Sequence, residues 1–167
     1  LTYGFGGSAV WKSWDINLLF QGSGKSSFFL SGYTRPLSGG ESGNVLTYAA
    51  DPSNRWTSHE ISGTYDTERT DAIFPRLTYG KNENNDRNST FWLRDSRYLR
   101  LKTLEIGYTL PKTLSRKWFI EKARFYFLGN NLLVFSPFKW WDPENGSGDG
   151  VNYPITKTFT VGVQLSF

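Results

Sequence analysis

The sequence predicts an all-β fold built from five antiparallel strands, each with one apolar and one polar face. Three observations carry that expectation. From Phe159 to Phe167 every odd position is apolar and every even one is small or polar, the period of two that a strand imposes on its side chains. Similar alternation recurs four more times upstream. The connections between these stretches run short, long, short, long.

The first strand is expected over 2–11, with Tyr3, Phe5, Ala9 and Trp11 on one face and Gly4, Gly6 and Ser8 on the other. Lys12-Ser13-Trp14 turns the chain, and a second strand is expected over 15–33. It places Ile16, Leu18 and Phe20 opposite Asp15, Asn17 and Gln21, which makes a hairpin. Residues 34–90 are rich in Gly, Ser, Asn, Asp and Pro, as in Ser38–Asn44 and Asn82–Asn88. A connection this long counts against a compact soluble β-domain but suits the outer loops of a membrane barrel, whose opposite turns are short. The third strand is expected over 96–109, with Leu104, Ile106 and Tyr108 facing lipid and Thr103, Glu105, Gly107 and Thr109 facing the lumen. A carboxylate facing lipid is costly, which sends Glu105 inward. Tyr98, Arg100 and Lys102 are expected to continue the lipid row to the interface, where aromatics anchor and long cations snorkel. Pro111 ends that strand, and 112–122 read as a turn with one helical turn. A fourth strand is expected over 123–134, with Phe125 and Phe127 opposite Arg124 and Tyr126. A Gly- and Asp-rich loop at 135–155 leads to the last strand, 156–167.

Composition narrows the chemistry. Of 167 residues, 17% are aromatic, and no stretch reaches the length of a membrane helix, about 18 apolar residues. The mean hydropathy of −0.47 is compatible with a membrane barrel, because barrel strands hide their lipid face in alternation. There is no Cys, so no disulfide or thiolate chemistry. The net charge of +4 comes from scattered Lys and Arg. Those read as solvated loop and rim charges rather than a nucleic-acid surface. There is no Met and no secretory signal at the start, and the chain is expected to be a piece of something longer. Five strands cannot close a barrel, and an open edge in lipid is not tolerated, so further strands are expected from elsewhere. If the short turns are periplasmic, the C-terminus is periplasmic too.

The residues also resemble a family. Tyr98-Leu99-Arg100-Leu101-Lys102 followed by Leu104-Glu105-Ile106-Gly107-Tyr108-Thr109-Leu110-Pro111 is similar to the C-terminal part of SusC/RagA-type TonB-dependent outer-membrane transporters of Bacteroidota. Gly129-Asn130-Asn131-Leu132, Asp142-Pro143-Glu144, Tyr153-Pro154 and the aromatic-ended last strand follow in the family's order. Arg55-Trp56-Thr57, Pro75-Arg76-Leu77 and the Tyr3–Gly22 hairpin resemble it upstream. The resemblance implies a barrel of about 22 strands with a plugged lumen, this chain supplying the last five. It implies uptake of glycans or peptides with a SusD-like surface lipoprotein, driven by TonB. It also implies partners outside this chain: the rest of the barrel, the plug, the TonB complex and outer-membrane lipid. A different class is a soluble aromatic-rich carbohydrate-binding β-module, in which the apolar faces would meet in one sandwich core.

Candidate sites follow. Phe159, Val161, Val163, Leu165 and Phe167 resemble an assembly signal, an aromatic-ended strand able to pair with a sheet edge; the alternative is a girdle role for Phe167. Trp140 and Trp141 can stack on substrate, meet a lid, or pack the loop. Trp56 and Trp92 are loop aromatics that either contact ligand or pin the loop. Asp66, Glu68, Glu41, Asp71 and Asp95 read as solvated acids, since a glycosidase pair needs a geometry that spacing does not supply. His59 beside Glu60 gives neither metal spacing nor a triad. Gly24-Lys25-Ser26 is not a phosphate loop, because Leu19 stands where that motif needs Gly. No cofactor, metal or enzymatic activity is expected.

Overall fold

The computed structural model describes residues 1–35, 45–78 and 82–167. Strands β1 (Thr2–Trp11), β2 (Trp14–Ser23), β3 (Ser27–Phe29), β4 (Leu93–Asp95), β5 (Tyr98–Thr109), β6 (Lys122–Phe135) and β7 (Thr158–Ser166) form two sheets. One is an antiparallel five-stranded sheet in the order β1-β2-β5-β6-β7; the other pairs β3 with β4. The chain divides into two units, the large sheet with its connections, and residues 27–94 with 146–152.

In the large sheet, register turns the alternation of each strand into continuous rows. Residues directly opposite share a face. Ile16, Ile106, Phe127 and Val161 make one cross-strand row, and Trp14, Tyr108, Phe125 and Val163 another. Phe5 stacks on Phe20 at 5.2 Å and Trp14 lies 4.8 Å from Tyr108. On the opposite face Ser8, Asn17, Glu105 and Thr160 align with Leu128.

Two expectations about this sheet are corrected. The second strand stops at Ser23 instead of running to residue 33. Gly24 donates its N–H to the Leu1 carbonyl, Lys25 takes a positive φ of 50°, and Ser26 accepts from the Ser96 N–H. The chain then enters the small sheet. Second, Tyr98 and Arg100 do not extend the apolar row. Lys102 sits at a bulge, between Leu101 paired with Leu133 and Thr103 paired with Asn130. The extra residue shifts the parity. Leu99 and Leu101 join the apolar row, and Arg100 moves to the polar face beside Gln21.

The bulge explains the Gly129-Asn130-Asn131-Leu132 motif. Asn131 adopts φ 56°, which Asn tolerates better than most residues. Leu132 then folds back over Gly129, where a Cβ would come within 2.8 Å of its side chain.

The long connection, expected as an irregular outer loop, carries a packed unit of its own. Short helical turns at Thr47–Ala50, His59–Ser62 and Glu83–Asp86 surround a core of Leu30, Ala49, Phe74 and Trp92. Its polar pin is Arg35, which donates to the carbonyls of Leu30 and Asp86 and, at 2.6 Å, to Asn88 Oδ1, and stacks 5.3 Å from Trp92. The Arg55-Trp56-Thr57 segment meets Phe74, the residue before Pro75: Arg55 bridges Phe74, and the Trp56 N–H donates to the Phe74 carbonyl at 2.9 Å. The stretch 36–44, including Ser38–Asn44 and Glu41, lies outside the described residues.

Candidate functional site

The candidate site is the sheet itself, with two faces that suit two solvents. No second layer covers the apolar rows among the described residues. Phe159 is 63% exposed and Val161 79%, and Phe5, Trp14, Phe125 and Leu133 are exposed as well. A soluble protein seldom leaves so continuous an apolar patch open to water. The sandwich core of a soluble carbohydrate-binding module is not formed by these strands. Among the described residues no helix is long and apolar enough to cross a membrane.

The polar face carries an ion-pair bridge across three strands. Arg124 on β6 pairs with Asp15 on β2, its Nε 3.1 Å from Oδ1, and with Glu105 on β5 at 2.6 Å. The bridge passes over Gly107, where any side chain would strike the Asp15 carboxylate and the Arg124 guanidinium. One cation serves two anions in a partly exposed setting, which cross-links non-adjacent strands and leaves a polar surface. Tyr126 adds its ring 5.5 Å from Arg124.

A second charge cluster joins β5 to the last long connection. Arg100, only 1% exposed, pairs with Asp142, and its Nε lies 2.8 Å from Glu144 Oε2. Lys102 Nζ lies 2.7 Å from Glu144 Oε1. The Glu144 N–H donates to Asp142 Oδ1 at 3.0 Å. The Arg100-Leu101-Lys102 and Asp142-Pro143-Glu144 segments are therefore two halves of one clasp. A buried guanidinium is tolerable only with such partners. Sequence reasoning missed the clasp, although the order of the two segments was a usable signal: an arginine and a lysine in one, two acids in the other.

Trp140 and Trp141 lie beside the clasp. Both are half-buried and pack around buried Phe138, with ring centroids 6.0 and 4.8 Å from it. Each is partly exposed. Trp92 is 1% exposed and its indole N–H donates to the Asn85 carbonyl at 2.7 Å. It is a core residue of the second unit, and its place as a ligand-contact candidate is withdrawn because no face is left to bind one. Trp56 is half-buried in the same unit. Phe159, Val161, Val163 and Leu165 lie on the apolar face of β7, and Phe167 follows it, exposed.

Glu68 accepts from the His59 N–H and faces its ring nitrogen, both at 2.7 Å, and the His59 backbone donor holds the carboxyl below its usual range. Asp149 is lowered chiefly by the Ser147 hydroxyl, at 2.5 Å.

Comparison with known proteins gives a consistent answer. No family model matches the chain. It is 29% identical to the TonB-dependent receptor P3 of Formosa agariphila over 99% of this chain and 16% of that protein. It is 28% identical to a second TonB-dependent receptor of that organism, over 100% and 17%. Among solved structures it resembles the RagAB peptide transporter, with TM-score 0.70 and 29% identity over 98% of this chain and 17% of that one. It resembles the RagAB peptide importer in the closed-closed state equally, with TM-score 0.70 and 29% identity. The chain thus spans about a sixth of the relatives it matches.

Proposed function

We propose a function for this chain as what it is, a barrel segment of a SusC/RagA-type TonB-dependent receptor: it forms wall and loops of an outer-membrane importer. The observation that carries this reading is the sheet whose apolar face is open and whose polar face is cross-linked by Arg124, Asp15 and Glu105. In a barrel the first face meets lipid and the second lines the lumen. The remaining strands and the plug would come from the rest of the receptor, and energy from the TonB complex.

The cargo is peptide in this reading, supported by the likeness to the RagAB peptide transporter; a glycan is the alternative within the family. The family resemblance also supplies a SusD-like surface lipoprotein as lid. Trp140 and Trp141 are the residues for lid or cargo contact, since each presents a partly open ring next to a rigid clasp. Phe159, Val161, Val163, Leu165 and Phe167 form the assembly signal, and the C-terminus is periplasmic.

Extraction tests the location. The full-length receptor should leave the membrane fraction only with detergent; solubility without it would overturn the barrel reading. Uptake of labelled oligopeptides against labelled oligosaccharides tests the cargo. Uptake of sugars alone would overturn the peptide assignment.

A further inference from the structure

The connection between β5 and β6 is more elaborate than a turn requires. After Pro111 one helical turn spans Lys112–Ser115 and a tighter one Arg116–Trp118. It closes with a pair of hydrogen bonds, the Phe119 N–H to the Arg116 carbonyl and the Ile120 N–H to the Ser115 carbonyl, both 3.2 Å. This is the Schellman arrangement, which needs one residue in the left-handed region and usually takes Gly there. Here that residue is Phe119, at φ 58°. A bulky aromatic holds this conformation against its own preference. It is also 92% exposed, and Trp118 beside it 77%, so packing among the described residues does not account for either ring.

Beside the turn lies a groove of about 480 Å³, a size suited to a small ligand. Leu114, Trp118 and Ile120 line it from the turn, and Phe125, Val163 and Leu165 from the sheet. The last three belong to the apolar rows, so the groove opens on the side assigned to lipid. Lys112, Arg116 and Lys117 are exposed on the same turn, which carries no acid between Pro111 and Trp118. The neighbouring hairpin turn is held alongside by the Thr109 N–H to the Ser13 carbonyl, 2.8 Å, and adds Lys12 over Trp11.

We propose that this turn is a seat for one anionic phospholipid. Its acyl chain lies in the groove, and its headgroup phosphate meets Lys112, Arg116 and Lys117. The two requirements select the occupant together. A groove continuous with the lipid face takes a hydrocarbon chain, and three cations against one acid, Glu121 at the end of the connection, take an anion; an anionic phospholipid joins both. The inference rests on the membrane-barrel reading.

The test titrates phosphatidylglycerol, phosphatidylethanolamine and inorganic phosphate separately into the detergent-solubilised full-length receptor, read by native mass spectrometry. The wild type should retain one phosphatidylglycerol in preference to phosphatidylethanolamine. Neutralising Lys112→Gln, Arg116→Gln and Lys117→Gln stepwise should weaken it about fivefold per cation. Trp118→Ala removes an exposed ring that lines the groove, so it should leave the fold unchanged and bind the lipid more weakly. Equal phosphatidylglycerol affinity in the wild type and the triple variant overturns the site, as does displacement by inorganic phosphate. Both results leave the barrel intact, which heat-modifiable migration of the folded receptor confirms. A receptor soluble without detergent would sink the barrel reading, and this inference with it.

Discussion

The five-stranded sheet and the unit formed by residues 27–94 and 146–152 treat their apolar side chains in opposite ways. The second unit buries Leu30, Ala49, Phe74 and Trp92 and pins Arg35 with three donated hydrogen bonds. That is how a chain folds in water, where apolar burial is the main driving force. The sheet leaves Phe159, Val161 and Phe125 open while tying its charges together on the other face. In the proposed barrel, hydrocarbon replaces water outside the apolar face. One chain therefore carries two sets of folding rules, and a substitution acts according to which set governs its site.

The contrast can be broken at its strongest points first. Trp92→Ala should cost about 3–5 kcal/mol and loosen the second unit while the sheet stays assembled; hydrogen exchange of the full-length receptor would read both. Arg100→Ala leaves Asp142 without its cation and Glu144 with Lys102 alone, at a cost of about 3–5 kcal/mol, and should free the Trp140–Trp141 loop to proteolysis while β5 remains protected. Gly129→Ala should cost about 1–3 kcal/mol, because the new methyl meets Leu132 at the bulge. Thermal unfolding in detergent would show it. The smallest effect is expected at Glu68. Its carboxyl is held below the unfolded value by the His59 N–H, so its stabilisation is complete above the unfolded value and is lost as pH falls through the folded one. Glu68→Gln should remove that acid-side loss of protection at the His59 amide.

The two regions were not equally legible. The sheet announced itself because a period of two is a local property, and Phe159–Phe167 displays it residue by residue. The bulge at Lys102 and Asn131 was hidden, since a bulge belongs to two paired strands and appears in neither alone. It therefore misplaced Tyr98 and Arg100. The clasp between Arg100 and Asp142 was hidden for a related reason: its halves are 42 residues apart. In the second unit, polar composition read as loop, because its core rests on a few distant residues. Trp92 read as a loop aromatic that either contacts ligand or pins the loop, and its burial favours the pin. The family resemblance set the short motifs in order, and the structure adds that two of them, Arg100–Lys102 and Asp142–Glu144, are physical partners.

The central claim is that the two faces of β7 meet different solvents, and adjacent residues test it. Val161 lies on the apolar row opposite Phe127, and Thr160 on the polar face opposite Leu128. In the full-length receptor, Val161→Lys should cost about 2–4 kcal/mol if it lies near the middle of the membrane and sharply lower the amount folded in the outer membrane. Thr160→Lys should leave that amount close to wild type. Equal accumulation of the two variants, or a greater loss with Thr160→Lys, would contradict the account.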